Sequence, residues 1–111
     1  MAFRLPNIGN SELAQFDVFT TADEGDLVVD CQSHLLRHLN TRFVAPLMPL
    51  DRAPTPAGRL NPLFEIEGRR LSMVTQFAGS MPATELVQPV CSLSDRRHEI
   101  IGALDMLITG V

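Results

Sequence analysis

The residue types that could do chemistry are few, and their spacing limits what chemistry that is. His34 and His38 stand four apart, so on a helical turn they would share a face and could offer two imidazole nitrogens to one metal ion. A closed or catalytic zinc site takes three or four ligands. No acidic residue lies between the two, and the third histidine, His98, falls in another part of the chain. They read as surface imidazoles, and no metal site is expected. Asp95 and Glu99 are one helical turn apart, the spacing of an acid/base pair. Arg96 and Arg97 lie between them, so the cluster reads instead as a solvated helix start. The doublets Arg69–Arg70 and Arg96–Arg97 could grip a phosphate or a carboxylate-rich peptide, but they read as solvated turn and cap residues. There is no G-x-S-x-G elbow, no catalytic-cysteine signature and no glycine-rich phosphate loop. The expectation is a protein with no catalytic residue, no metal and no cofactor.

Composition narrows the class further. A chain of 111 residues with 45% hydrophobic content makes one domain with a modest core. Nine cations, all arginine, stand against 13 carboxylates, a net charge of −4 that argues against general affinity for nucleic acid backbones. Tyr and Trp are absent, and the six Phe are mostly needed inside, so stacking platforms for single-stranded bases are poorly stocked. Cys31 and Cys91 have no metal-ligand spacing and read as small buried hydrophobes, with a disulfide between them left open. No apolar run approaches the roughly 20 residues that span a bilayer. Residues 1–13 lack the apolar centre of a signal peptide, so the expected compartment is the cytoplasm.

The elements that must position these groups are mainly β. Residues 1–13 hold Pro6, Gly9 and two Asn without a sustained period, and are expected to be a flexible extension. Residues 15–20 alternate, with Phe16 and Val18 on one face and Gln15 and Asp17 on the other. Gly25 marks the turn to a returning strand at residues 27–32. Residues 33–40 suggest a single helical turn or an irregular crossover. Residues 42–50 resume an extended pattern, but Pro46 and Pro49 lack the ladder N–H and predict an edge strand or a broken one. Residues 51–60 are a loop by composition. A second hairpin runs through residues 62–67 and 69–76 about Gly68. Residues 77–82 read as a loop and residues 84–87 as a short strand before Pro89.

Residues 92–111 close the chain as an amphipathic helix with Ile100, Ala103, Leu104, Leu107, Ile108 and Val111 on one face. Ser92 with Asp95, or Ser94 alone, is expected to cap its start. No Lys or Arg follows His98, so the end is expected to carry bare carbonyls with Asp105 near the negative pole. Each unfavourable charge there costs about 0.3–1 kcal/mol, which a cation from a partner would offset. Five or six strands and one terminal helix predict a strongly bent antiparallel sheet or partly closed barrel, with the helix packed on one side.

Taken in order, QFDVFT, VVDCQS, RFVAPL, PLFEIEGRRLSMVTQ, SMPATEL and the terminal helix resemble the CcdB family of toxins from toxin–antitoxin pairs. The D-x-Q-S after the second strand, the A-P-L of the third, the M-x-T-Q segment and the M-P turn all occur in register. The resemblance implies a toxin domain over residues 14–111 and an SH3-like barrel related to the MazF and Kid toxins. It also implies a homodimer that binds the A subunit of DNA gyrase and traps the cleaved gyrase–DNA complex, with no chemistry of its own and no direct nucleic-acid binding. A CcdA-like antitoxin would remove it from gyrase. The family's gyrase-contacting Trp-Gly-Ile end falls at Thr109, Gly110 and Val111, with Asp105 and Ile108 one turn back and Leu35 and Leu36 matching an aliphatic pair near the same contact. Thr109 replaces the aromatic, and Arg97 stands where the family has a glutamate. Two such helix ends in a dimer are expected to form a negative patch that accepts an arginine of the target. Two alternatives stay open: a MazF-like endoribonuclease, and a homologue that only dimerises and binds antitoxin.

Overall fold

The computed structural model describes residues 14–111 apart from Glu24; the expected extension at residues 1–13 lies outside them. Strand β1 (Asp17–Thr21) pairs antiparallel with β2 (Leu27–Asp30) in the register Val18↔Val29, and Gly25 turns between them at φ +73°. The alternation in β1 does not separate core from solvent, because both faces are covered. Val18 joins Val29, Cys31, Leu93 and Ile100 in the main core, while Phe19 packs with Val28, Val44 and Ala83 in a second, smaller one. Phe16 lies just outside the strand, at φ +73°, a backbone region that is costly for a side chain of its size. Its N–H donates to the Asp30 carbonyl and its carbonyl accepts the Leu93 N–H, so this one residue joins β2 to the start of the terminal helix segment.

β3 (Thr41–Pro49) overturns the expectation of an edge or broken strand. It runs unbroken for 9 residues through the middle of the sheet. On one side lies β2, and on the other lie β6 (Gly79–Pro82) against residues 41–44 and β5 (Arg69–Met73) against residues 47–49. The Cys31 N–H bonds the Phe43 carbonyl, and alternation along the ladder then turns Pro46 away from β2. It faces the point where the outer partner changes from β6 to β5, so its missing N–H leaves no bond unmade. Residues 79–82, expected as loop, form β6; Gly79 and Pro82 hide a strand of only 4 residues. β7 (Leu86–Ser92) continues straight through Pro89, where its pairing with β1 is irregular. The hairpin of β4 (Leu63–Ile66) with β5 is as expected, turned by Glu67 at φ +53° and Gly68 at φ +77°.

The strand order is β4-β5-β3-β2-β1-β7, with β6 also on β3: seven strands among the described residues, against five or six expected. The sheet curls strongly, and α1 (Arg97–Thr109) packs on it by Ile100 and Ala103 against Phe64, Ile66, Leu71 and Met73. The start of α1 differs from the expected cap. The Ser92 hydroxyl accepts the Ser94 N–H at 3.2 Å within a 3-10 turn, Ser94–Arg96, and no side chain caps α1 itself. Arg96 anchors the entry instead. Its guanidinium donates to Glu99 and to the Leu63 carbonyl (3.1 Å) and lies 4.7 Å over the Phe64 ring.

β2 and β3 are also joined by a wholly buried pair, Arg42 donating to Asp30 at 2.9 and 2.7 Å. Burial pushes the Asp30 carboxyl up, against the lowering by Arg42 and the Gln32 N–H. Cys31 and Cys91 are free thiols, which answers the open disulfide. Burial first, and a neighbouring carboxylate second, push them up to about 12 and about 11, so neither is a ready nucleophile. Among the described residues no helix is long and apolar enough to cross a membrane.

Candidate helix-end binding site

Asn61 begins the construction of the helix end. It is buried, and its amide donates to the Met73 carbonyl (3.0 Å) and Gln76 (2.8 Å) while its carbonyl oxygen accepts the Ala57 N–H. The Thr75 hydroxyl donates to the Leu60 carbonyl. These bonds fix the proline-rich loop to the end of β5 and lay its 3-10 turn, Gly58–Leu60, along α1. Arg59 thereby reaches the end of the helix and donates to the Val111 carbonyl oxygen at 2.5 Å.

The expected bare carbonyls are engaged in part. Gly110 takes φ +76° and its N–H bonds the Met106 carbonyl at 3.0 Å, an ending that a residue without Cβ adopts cheaply. The Thr109 hydroxyl donates to the Asp105 carbonyl (2.7 Å) and accepts the Val111 N–H (3.3 Å). The cation expected from a partner is supplied by Arg59 of the same chain. A sequence signal for this was lacking, since Arg59 stands in a loop 52 residues from Val111. Beside these bonds the end presents large apolar groups: Ile108 is 75% and Val111 73% exposed, with Leu107 beside them. Asp105 is exposed one turn back.

Leu35 and Leu36 are held by other means. The Ser33 hydroxyl accepts the Leu35 N–H (3.2 Å) to open the 3-10 turn His34–Leu36. Gln32 ties that turn to β3, donating to the Leu36 carbonyl (3.0 Å) and accepting the Phe43 N–H (2.9 Å). Asp30 and Gln32 of the D-x-Q-S stretch are thus the supports of this turn and of β3. Leu35 is 81% exposed. No hydrogen bond among the described residues joins this turn to the helix end, so one chain presents two apolar knobs on separate supports.

The remaining candidates do not gather into a site. His34 begins a turn that ends before His38, so the two do not share a helical face, and no cluster among the described residues could hold a metal. Glu99 is paired with Arg96, which holds its carboxyl below the usual range; Asp95 is exposed and apart from that bond. Arg69, Arg70 and Arg97 are exposed.

With this geometry, likeness to known proteins can be placed. By fold the chain is similar to the Mycobacterium tuberculosis toxin MazF-mt6, with a TM-score of 0.65 at 14% sequence identity, over 82% of this chain and 93% of that one. No curated protein matches it by sequence. The sequence pattern of the CcdB family, described as CcdB protein, matches residues 15–110, from the residue before Phe16 to the glycine that ends α1. A curled antiparallel sheet closed by a C-terminal helix agrees with that match, and the chain belongs to the CcdB family of toxins from toxin–antitoxin pairs.

Proposed function

We propose that this chain is a toxin that binds the A subunit of DNA gyrase through the end of α1 and traps the cleaved gyrase–DNA complex. It acts in the cytoplasm as a homodimer, carries out no bond-breaking itself and is neutralised by a CcdA-like antitoxin. The observation that supports this reading most is the exposed apolar end of the helix. Thr109, Gly110 and Arg59 engage the Asp105, Met106 and Val111 oxygens, while Ile108 and Val111 stay mostly exposed beside them. Large aliphatic groups exposed together at one place on the surface favour a protein partner. Asp105, Leu35 and Leu36 complete the proposed contact. Because Arg59 already donates to the Val111 oxygen, the place expected for a cation from the target is partly taken within the chain, and the contact is apolar first.

The test is supercoiling and cleavage by the host's gyrase, with the intact chain and with one truncated after Ile108. Cleaved DNA that accumulates with the intact chain and disappears with the truncated one is the expected result. Absence of cleaved DNA with either chain refutes gyrase poisoning and leaves a dimeric antitoxin-binding homologue. A second reading, a MazF-like ribonuclease, is favoured by the likeness of fold to MazF-mt6. Net charge −4 and the absence of Tyr and Trp count against it, and labelled RNA that stays intact with the purified protein disposes of it.

A further inference from the structure

Residues 34–40 are all exposed, so no apolar packing of their own fixes the 3-10 turn that carries Leu35 and Leu36. The turn's own hydrogen bonds are local: Ser33 accepts the Leu35 and Leu36 N–H, and the Leu36 carbonyl accepts the Leu39 N–H at 3.1 Å. Among the described residues one bond enters the turn from the body of the protein, the Gln32 amide N–H to the Leu36 carbonyl at 3.0 Å. The oxygen of that amide stands in for a strand carbonyl. The β2–β3 pairing stops at Asp30↔Val44, and beyond it the Phe43 N–H donates to Gln32 Oε1 at 2.9 Å. An amide bonded at both its oxygen and its nitrogen is fixed in one orientation.

Behind Gln32 stands the buried ion pair. Arg42 donates Nε and Nη2 to Asp30 Oδ2, and the other oxygen of Asp30, Oδ1, accepts the Gln32 backbone N–H at 3.0 Å. As a source of stability the pair is poor. Both side chains are wholly buried, Arg42 Nη1 has no hydrogen-bond partner among the described residues, and burial outweighs Arg42 in its effect on the Asp30 carboxyl. Well-packed apolar side chains in place of a buried ion pair are often no less stable. What they lack is direction. The pair fixes the Asp30 carboxylate, its Oδ1 fixes the backbone of residue 32, and from there the Gln32 amide reaches both Phe43 and Leu36.

We propose that Arg42, Asp30 and Gln32 are positioning residues, a chain of bonds from the core that sets where Leu35 and Leu36 stand on the surface. Arg42 and Asp30 are wholly buried and Gln32 nearly so, so they act through the turn and not by touching a target. The identity of the target rests on the gyrase reading; the coupling of core to turn does not. Leu35 is 81% exposed, and a large side chain held in place binds without the entropy cost of ordering its segment. Loosening the turn therefore weakens binding while the fold stays intact.

The experiment measures two things on the full chain: hydrogen exchange of the Leu36, Arg37 and Leu39 amides, which the turn holds in hydrogen bonds, and affinity for the A subunit of the host's gyrase. The variants are Gln32→Met and the apolar replacement Asp30→Leu/Arg42→Met, with urea unfolding to separate a loosened turn from a lost fold. In both, exchange in the turn speeds several-fold, up to about tenfold, the range of one lost hydrogen bond, while the amides of β4 and β5 keep their protection. Affinity falls on the order of tenfold, and Gln32→Met adds nothing to the loss once Leu35→Ala/Leu36→Ala is present. Unchanged exchange in the turn of Gln32→Met overturns the proposal. So does a further loss of affinity of the same size with the two leucines already removed, which marks an effect on the whole fold. Unchanged exchange in a folded Asp30→Leu/Arg42→Met overturns the part assigned to the pair; Arg42→Lys, which keeps the charge and loses the two-pronged grip, replaces it if it does not fold, with the same expectation. An intact chain that does not bind the gyrase A subunit refutes the gyrase reading, and exchange in the turn then decides the positioning role by itself.

Discussion

Arg96 makes three kinds of contact at once, to Glu99, to the Leu63 carbonyl and over the Phe64 ring. The ion pair is half-exposed, so its worth is screened to below about 1 kcal/mol. Because Arg96 depresses the Glu99 carboxyl, the pair stabilises the fold above the ordinary carboxylate range, and that share is lost as pH falls through the lowered value. Glu99→Gln should therefore cost under about 1 kcal/mol near neutrality and nothing at pH below the Glu99 range, read from urea unfolding at several pH values. Arg96→Ala should cost more, about 1–2 kcal/mol, because ring contact and carbonyl bond go as well. Equal costs at all pH values for Glu99→Gln would show that the pair contributes no charge interaction. The i, i+3 spacing of Arg96 and Glu99 was legible in the sequence as a helix-surface pair. The ring beneath was not, since Phe64 is 32 positions away and comes near only when β4 meets the helix start.

At the scale of the element, α1 has a legible body and an illegible end. Its buried face followed from periodicity only in part: Ile100 and Ala103 are fully buried and Leu104 partly, but Leu107, Ile108 and Val111 of the same expected face are exposed. Its last turn depends on a loop that carries no such pattern. Arg59→Ala should speed hydrogen exchange of the amides of residues 107–111 while lowering global stability by less than about 1 kcal/mol. Exchange in that turn unaffected by the substitution would mean that Thr109 and Gly110 hold it unaided. β3 offers the same lesson in reverse. Pro46 argued for an edge because an isolated strand reading cannot know where the ladder on its other side changes partner. β6 was missed because Gly79–Pro82 has almost no strand composition and forms only against residues 41–44 of β3.

For the whole molecule, the exposed aliphatic groups Leu35, Ile108 and Val111 are more than a chain needs for its own fold. Sedimentation equilibrium of the full chain should give twice the monomer mass at micromolar concentration; a monomer throughout that range would remove the homodimer from the proposed function. The sequence by itself determined what is local or compositional: the mainly β class, both hairpins with their turns at Gly25 and Gly68, the first half of the helix's inward face and, through stretches in register, the family. Each depends on side-chain period, backbone preference or residue order over short stretches of chain. Only the tertiary structure decided that Asp30 and Arg42 face each other in the interior, that Phe19 and Val18 serve two different cores, and that Arg59 meets Val111. The two bonded pairs among these join residues 12 and 52 apart in the chain, and strand order, which local preference does not encode, is what brings such groups together.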